Sequence, residues 1–236
     1  MNTQKNTPKE TCTKPRITLF DLDSTLLPID SDHAWGEFTI ALGWVDALEF
    51  KSRNDDFYAQ YRSQTLDIAE YIRFTTTAMR QQGTIKSIAA HALFMHDVID
   101  LAIQKPAIEL VQKHLRDDAA VVIVTATNEF VTRPIATAFG VHELIAVELE
   151  RDPQTQEWTG EIRGTPWKRK KKITRVAEWL HARGLDWDGV HITFYSDSMN
   201  DLPLLEKAQT PIATNPDPKL RALAKERGWQ VLDLFG

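Results

Sequence analysis

Acidic side chains collect where apolar runs end. In RITLFDLDST, Asp21 and Asp23 follow a β-rich run directly. Two carboxylates two residues apart can share a hard cation such as Mg²⁺, or divide labour, one attacking an electrophile and the other exchanging a proton. GVHITFYSDSMND ends in the same way, with Asp197 and Asp201 as two further carboxylates able to face a metal and Asn200 beside them as a neutral donor. In AAVVIVTATN, Thr125 follows its own apolar run, where hydroxyl and backbone N–H groups can hold phosphoryl oxygens. Carboxylates gathered at several strand ends repel one another, and a hard cation neutralises them.

Such a site needs strands that stop side by side. Residues 16–23, 117–128 and 189–201 each read as a buried strand ending in polar residues. Between and after them lie helical patterns: PAIELVQKHLRD, with Pro106 well placed at a helix start, and KITRVAEWLHARG, closed by Gly184. Alternating strands and helices predict an α/β fold with an open, mostly parallel, Rossmann-like sheet, whose ligands bind beyond the carboxyl ends of the strands. Residues 30–104 break the rhythm with helical segments that turn near Gly43 and Gly83, too long for an ordinary crossover and read as an inserted helical cap. The core is then 16–29 with 105–236, and 1–15 is a polar, disordered tail. LIAVELERDPQTQEWTGEIRG predicts a small β-hairpin appended to the main sheet.

Composition narrows the function. The 236 residues carry a formal net charge of -5, which argues against the broad basic face of a nucleic-acid binder. Cys12 is the single cysteine, so neither an intramolecular disulfide nor a cysteine-rich zinc site can form. The start of the chain has no signal-peptide core, and no apolar run approaches the ~20 residues of a membrane span. These features predict a cytoplasmic protein without integral membrane association.

DLDST, VIVTATN and YSDSMND, in this order and with a helical insert after the first, resemble the haloacid dehalogenase superfamily of phosphohydrolases, and most of all its phosphoserine-phosphatase-like branch. The resemblance implies a Mg²⁺-dependent phosphatase acting on a small phosphomonoester. It implies Asp21 as the nucleophile that forms an aspartyl-phosphate, and Asp23 as the acid and base that protonates the leaving alcohol and then activates water. Thr125 would bind a phosphoryl oxygen, with Asn200 near the phosphate. The metal would be held by Asp21, the backbone carbonyl of Asp23, and Asp197, with Asp201 supporting that shell. A phosphotransferase passing the group to an alcohol shares the covalent step, and a noncatalytic binder of phosphate ligands is a further alternative.

The same resemblance requires one cationic side chain before the last acidic motif. Lys168, Arg169, Lys170, Lys171 and Lys172 compete for the role. Ile173, Val176, Ala177 and Leu180 fall on one helical face, and Lys172 flanks that face at the helix start, so it is best placed to reach inward. The other four read as solvated charges. Asp30 falls where the phosphoserine phosphatases carry a glutamate that contacts the substrate amine, which implies an amine-bearing ester such as phosphoserine or histidinol phosphate. Asp32 and His33 could line the entrance to the site, and Asp32 alternatively reads as the cap of a helix beginning near His33. Trp35, Phe38, Met79 and Met95 read as packing, Arg53 and Arg62 as surface charge, and His91 and His96 are assigned no metal.

Overall fold

A computed structural model describes residues 14–63, 65–164 and 172–235. Most of the tail, with Cys12, lies outside the described residues, as do Lys168, Arg169, Lys170 and Lys171. The strands of the main sheet are β1 (Arg16–Phe20), β2 (Ala120–Asn128), β3 (Glu143–Val147), and, after a separate hairpin of β4 (Leu149–Arg151) and β5 (Trp158–Ile162), β6 (His191–Ser196), β7 (Thr210–Thr214) and β8 (Gln230–Leu232). Among the described residues the main sheet has six strands in the order β3-β2-β1-β6-β7-β8, and each paired neighbour is parallel. β1 is central because RITLF is apolar on both faces, and only its first residue is exposed.

The helices outside the insert are α7 (Lys105–Asp117), α8 (Glu129–Ala138), α9 (Lys172–His181), α10 (Leu202–Lys207) and α11 (Pro218–Glu226). Alternation along β1 sends Ile17 and Leu19 to one face, where Val176 and Leu180 of α9, Leu204 of α10 and Leu220 of α11 pack. Phe20 goes to the other face, against Val111 of α7 and Ile135 of α8. The chain runs one way from β1 through β2 to β3 and the other way from β6 through β7 to β8. The crevice between the β1 and β6 ends is therefore the switch point where such sheets bind ligands.

The insert consists of α1 (Ser31–Ala41), α2 (Ala47–Arg62), α3 (Ile68–Thr75), α4 (Thr77–Gln82), α5 (Thr84–Phe94), a π-helical turn (Met95–Ile99) and α6 (Asp100–Ala102). Three of these helices start on an aspartate whose carboxylate accepts first-turn N–H groups: Asp30, Asp46 and Asp67. The cap of the first is thus Asp30 and not Asp32, because the helix begins two residues earlier than its sequence pattern suggests. Trp35 and Phe38 stack at 5.9 Å, and Trp35, 1% exposed, also meets Phe94 and Phe130, which joins the insert to the core. Met79 is buried and Met95 packs at the margin, while Arg53 pairs with Glu70 on the surface.

The hairpin differs from expectation in its place. Among the described residues β4 and β5 pair only with each other and pack against α3 and α4, with Arg73 bonded to Glu161 at 2.7 and 2.9 Å. Gly160, at φ 88°, lets the Arg80 guanidinium lie where a Cβ would be, so this close approach requires glycine. Among the described residues no helix is long and apolar enough to cross a membrane.

His91 lies in the seam between insert and core, and its Nε2 donates to the Val131 carbonyl at 3.2 Å. Burial pushes its pKa down to about 4. The unfolded chain, with an ordinary histidine pKa near ~6.5, takes up this proton first. Stability from His91 is therefore present above pH ~6.5 and lost as pH falls toward 4. His91→Gln should flatten the acid slope relative to the unsubstituted chain in that window, read by urea denaturation; an unchanged slope removes His91 as its source.

Candidate active site

The loop after β1 is tied down before any ligand arrives. The Asp21 amide extends the β1–β6 ladder by donating to the Tyr195 carbonyl at 2.9 Å. Ser24 adopts φ 57°, and Asn215, in the loop after β7, donates from Nδ2 to the carbonyls of Ser24 and Thr25 at 3.0 and 3.2 Å. The Asp197 amide donates to Thr25 Oγ1, and that hydroxyl donates to Asp197 Oδ1, both at 3.1 Å. The loops after β1 and β6 therefore share a buried threonine.

Lys172 is the charge at the centre. It begins α9, is 11% exposed at its side chain, and its Nζ lies 2.7 Å from Asp21 Oδ1 and 2.8 Å from Asp201 Oδ2. Burial disfavours the ammonium, but Asp201 and Asp21 outweigh it and raise its pKa. Burial likewise raises the Asp21 pKa well above the usual carboxylate range; Lys172 opposes this, and Asp201 and Asp197 add to it. Asp197 is pushed up to about 7, mainly by burial, with Lys172 opposing and Asp201 reinforcing. Asp201 also accepts from Ser196 Oγ at 2.7 Å.

Asp23 lies in different surroundings. Its Oδ1 accepts from the Ser31 amide at 2.7 Å and its Oδ2 from the Thr127 hydroxyl at 2.9 Å, with no lysine or arginine paired to it among the described residues. Burial, then the Asp30 charge, raises its pKa to about 6, against the pull of Ser31 and Thr127. Asp30 Oδ1 is occupied by the Asp32 and His33 amides at 3.0 and 2.9 Å. Asp32, one residue beyond the amide that holds Asp23, is 5% exposed, accepts from Asn128 Nδ2 at 3.2 Å through Oδ1 and interacts with the Tyr71 hydroxyl, while its buried Oδ2 has no hydrogen-bond partner of ordinary length. Burial and then Asp30 raise its pKa to about 7.

Thr125 is buried, and its hydroxyl accepts from the Thr127 amide at 3.0 Å, within the stretch at the end of β2 where its register with β3 shifts. Asn200 lies on the 3₁₀ turn Met199–Asp201 and meets the Tyr61 hydroxyl of α2. Asp21, Asp23, Thr125, Lys172, Asp197, Asn200 and Asp201 thus all lie at the carboxyl ends of β1, β2 and β6 or on the adjoining helix start. Sequence reasoning missed Thr25, Thr127, Ser196, Asp32 as a buried group, and the two insert tyrosines, Tyr61 and Tyr71. The Tyr61 hydroxyl is raised in pKa, chiefly by desolvation with Lys172 opposing and Asp201 and Asp21 reinforcing; that of Tyr71 is raised by burial and then Asp32. Tyrosines in an amphipathic helix carry no signal separating such a position from packing. His96 pairs with Asp97 on the surface, and the Arg62 side chain lies outside the described residues.

The donor set suits a hard divalent cation. Asp21 and Asp197 are near enough for each other's charge to be felt, and both keep an oxygen outside the bonds described, as expected of groups that a cation would relieve. Among the described residues no three acidic, histidine or cysteine side chains converge as a closed cage, since Asp201 turns onto Lys172 and Ser196. Two carboxylates and a carbonyl, completed by water and substrate oxygens, fit Mg²⁺ better than a metal that demands full protein ligation.

The fold is thus an α/β sheet with a helical insert after β1 and strand-end carboxylates gathered around one lysine. Residues 18–206 match the model of the haloacid dehalogenase-like hydrolases, and the chain belongs to that family. Among its relatives, a histidinol-phosphatase of Neisseria meningitidis serogroup C is 38% identical over 218 residues, covering 92% of this chain and 98% of the relative. The phosphoserine phosphatase SerB1 of Mycobacterium tuberculosis is 28% identical, over 91% of this chain and 69% of its own. A solved Bordetella pertussis Tohama I protein of unknown function superposes with a TM-score of 0.87 at 44% identity, covering 94% of this chain and all of the other. A phosphoserine phosphatase solved with a phospho-aspartyl intermediate analogue has a TM-score of 0.60 at 16% identity, over 93% of each chain, and shares the fold.

Without Lys172, Asp21 and Asp201 become buried carboxylates with no cation. Lys172→Met, with divalent ions removed, should lose ~3–5 kcal/mol of stability at neutral pH. The deficit should shrink in mild acid, where Asp21 takes up a proton. Urea melts at both pH values measure this; equal deficits would mean that the lysine contributes packing and not charge.

Proposed function

We propose that the protein is a Mg²⁺-dependent phosphomonoesterase that works through an aspartyl-phosphate at Asp21. The observation that carries this reading is the unequal treatment of two neighbouring carboxylates. Asp21 has a lysine at 2.7 Å, whereas Asp23 has only neutral donors and a pKa near 6. Two carboxylates with different environments suit two roles, nucleophile and proton carrier. The names of the two phosphatase relatives support the same reaction class.

Lys172 attracts the phosphate and offsets charge on Asp21 as the phosphoryl group approaches. Asp21, Asp197 and the Asp23 carbonyl would hold Mg²⁺, which supplies charge neutralisation between the anionic nucleophile and the phosphate dianion. One Asp21 oxygen attacks phosphorus, the bond from phosphorus to the ester oxygen breaks, and Asp23 gives its proton to that oxygen. Asp23, now a carboxylate, takes a proton from water as the water attacks the aspartyl-phosphate, releasing phosphate and restoring Asp21. Thr125 and Asn200 bind phosphoryl oxygens. Asp201 acts through Lys172, which it holds in place. Asp23, as base for the second step, speeds breakdown of the aspartyl-phosphate, and product analysis with an added alcohol separates hydrolysis from transfer to that alcohol.

The organic part of the substrate meets the insert. Asp30 has given its Oδ1 to the start of α1, whereas Asp32 keeps an unpartnered oxygen one residue beyond the amide that binds Asp23. Asp32 is therefore the better reader of a protonated amine close to the ester oxygen. Phosphoserine and histidinol phosphate both have that arrangement.

A phosphate-release screen over small esters, with and without Mg²⁺, tests the reaction. Asp21→Asn should abolish release, and Asp23→Asn should lower kcat by about 10²–10⁴-fold. Comparable turnover in either variant would sink its assigned role. Asp32→Asn should reduce kcat/KM for phosphoserine and histidinol phosphate by about tenfold relative to p-nitrophenyl phosphate, the loss expected for one charge-assisted hydrogen bond. An unchanged ratio rejects Asp32 and leaves the phosphatase reading intact.

A further inference from the structure

α5 is apolar nearly all round, TIKSIAAHALF, yet only half of it is covered. Ser87, Ala90, His91 and Phe94 face the core. On the opposite side Ile85, Ile88 and Leu93 are 87%, 53% and 54% exposed, with Ala89 and Ala92 exposed between them. The spacing 85, 88, 89, 92, 93 is that of a helix face packed against another element. A helix with apolar residues on both faces is ordinarily buried, and a contiguous exposed stripe of this kind marks an interaction surface.

We propose that a second copy of this chain covers the stripe, with the two α5 helices antiparallel about a two-fold axis near Ala89 and Ala92. Self-association through one patch requires that the patch complement itself. Here the smallest side chains lie at the middle of the stripe, where the helix axes would come closest, and the aliphatic Ile85, Ile88 and Leu93 lie to either side. The charges agree with that direction. Lys86 flanks the stripe near its start, its Nζ 5.5 Å from the centre of the Trp44 ring, and Asp97, which also pairs with its neighbour His96, follows in the π-helical turn close to the same flank. A two-fold axis perpendicular to both helices keeps each flank on its own side and reverses its ends. Lys86 of each copy then faces Asp97 of the other, giving two ion pairs, whereas a parallel two-fold would put the two flanks on opposite sides of the contact and form neither pair. The contact is a single helix pair, smaller than the ~800 Å² per partner of standard interfaces, which puts it among weak associations. It does not depend on the phosphatase reading.

Sedimentation velocity on the full chain at tens of micromolar should show a dimer. Ala89→Arg, an exposed substitution that leaves the inner face untouched, should make it monomeric, with an unchanged thermal melt showing that the fold survives. Lys86→Glu should weaken the dimer at least tenfold, and the double exchange Lys86→Glu with Asp97→Lys should restore it, which misfolding could not do. The proposal is overturned by a monomeric wild-type chain, by a dimer that survives Ala89→Arg, or by a double exchange that stays as weak as the single one. A wild-type chain that binds a different protein through this stripe but not itself overturns it equally.

Discussion

The site depends on one buried ammonium. Strands that end side by side bring Asp21, Asp197 and Asp201 together, and burial disfavours the charged forms of Asp21 and Asp197. Lys172, within 2.8 Å of two of them, lets that part of the loop cluster exist with charge on it. The lysine is fixed in turn by α9, which is pinned to the sheet through Val176 and Leu180. The hydrophobic stripe of one helix therefore sets the electrostatics of three loops.

The insert makes the two ends of the crevice chemically different. On the Lys172 side the described carboxylates have a cation and room for a metal. On the α1 side, Asp23 and Asp32 have no described cation paired to them, and burial, reinforced by the Asp30 charge, raises the pKa of both. The hairpin braces this arrangement from the outer side, since β5 packs on α3 and the Arg73–Glu161 pair joins them.

Much of this was legible before any coordinates. Apolar runs that stop at acidic residues locate the ends of β1 and β6, because a strand buried on both faces must be apolar throughout and can expose functional groups only where it ends. The helical period of Ile173, Val176 and Leu180 places Lys172 at the start of α9. Asp30 and Asp32 illustrate where such reading stops. Both are acidic residues near a helix start, and the sequence pattern favoured the second as the cap. Which one capped depended on where the chain turned after the Asp23–Leu27 bridge. The hairpin was visible as strand, turn and strand, but its attachment to α3 and α4 rests on contacts between residues 73 and 161, which are remote in sequence.

The sequence alone determined the α/β alternation, the helical insert, the strand-end carboxylates and the family resemblance, because these depend on local period and residue type. Only the tertiary structure decided that Asp201 grips Lys172, that Thr25 and Thr127 hold Asp197 and Asp23, that an oxygen of Asp32 is left without a partner, and that one apolar face of α5 is uncovered. Each of these is a relation between segments far apart in the chain, set by how the sheet orders its strands and by how the insert folds back over their ends.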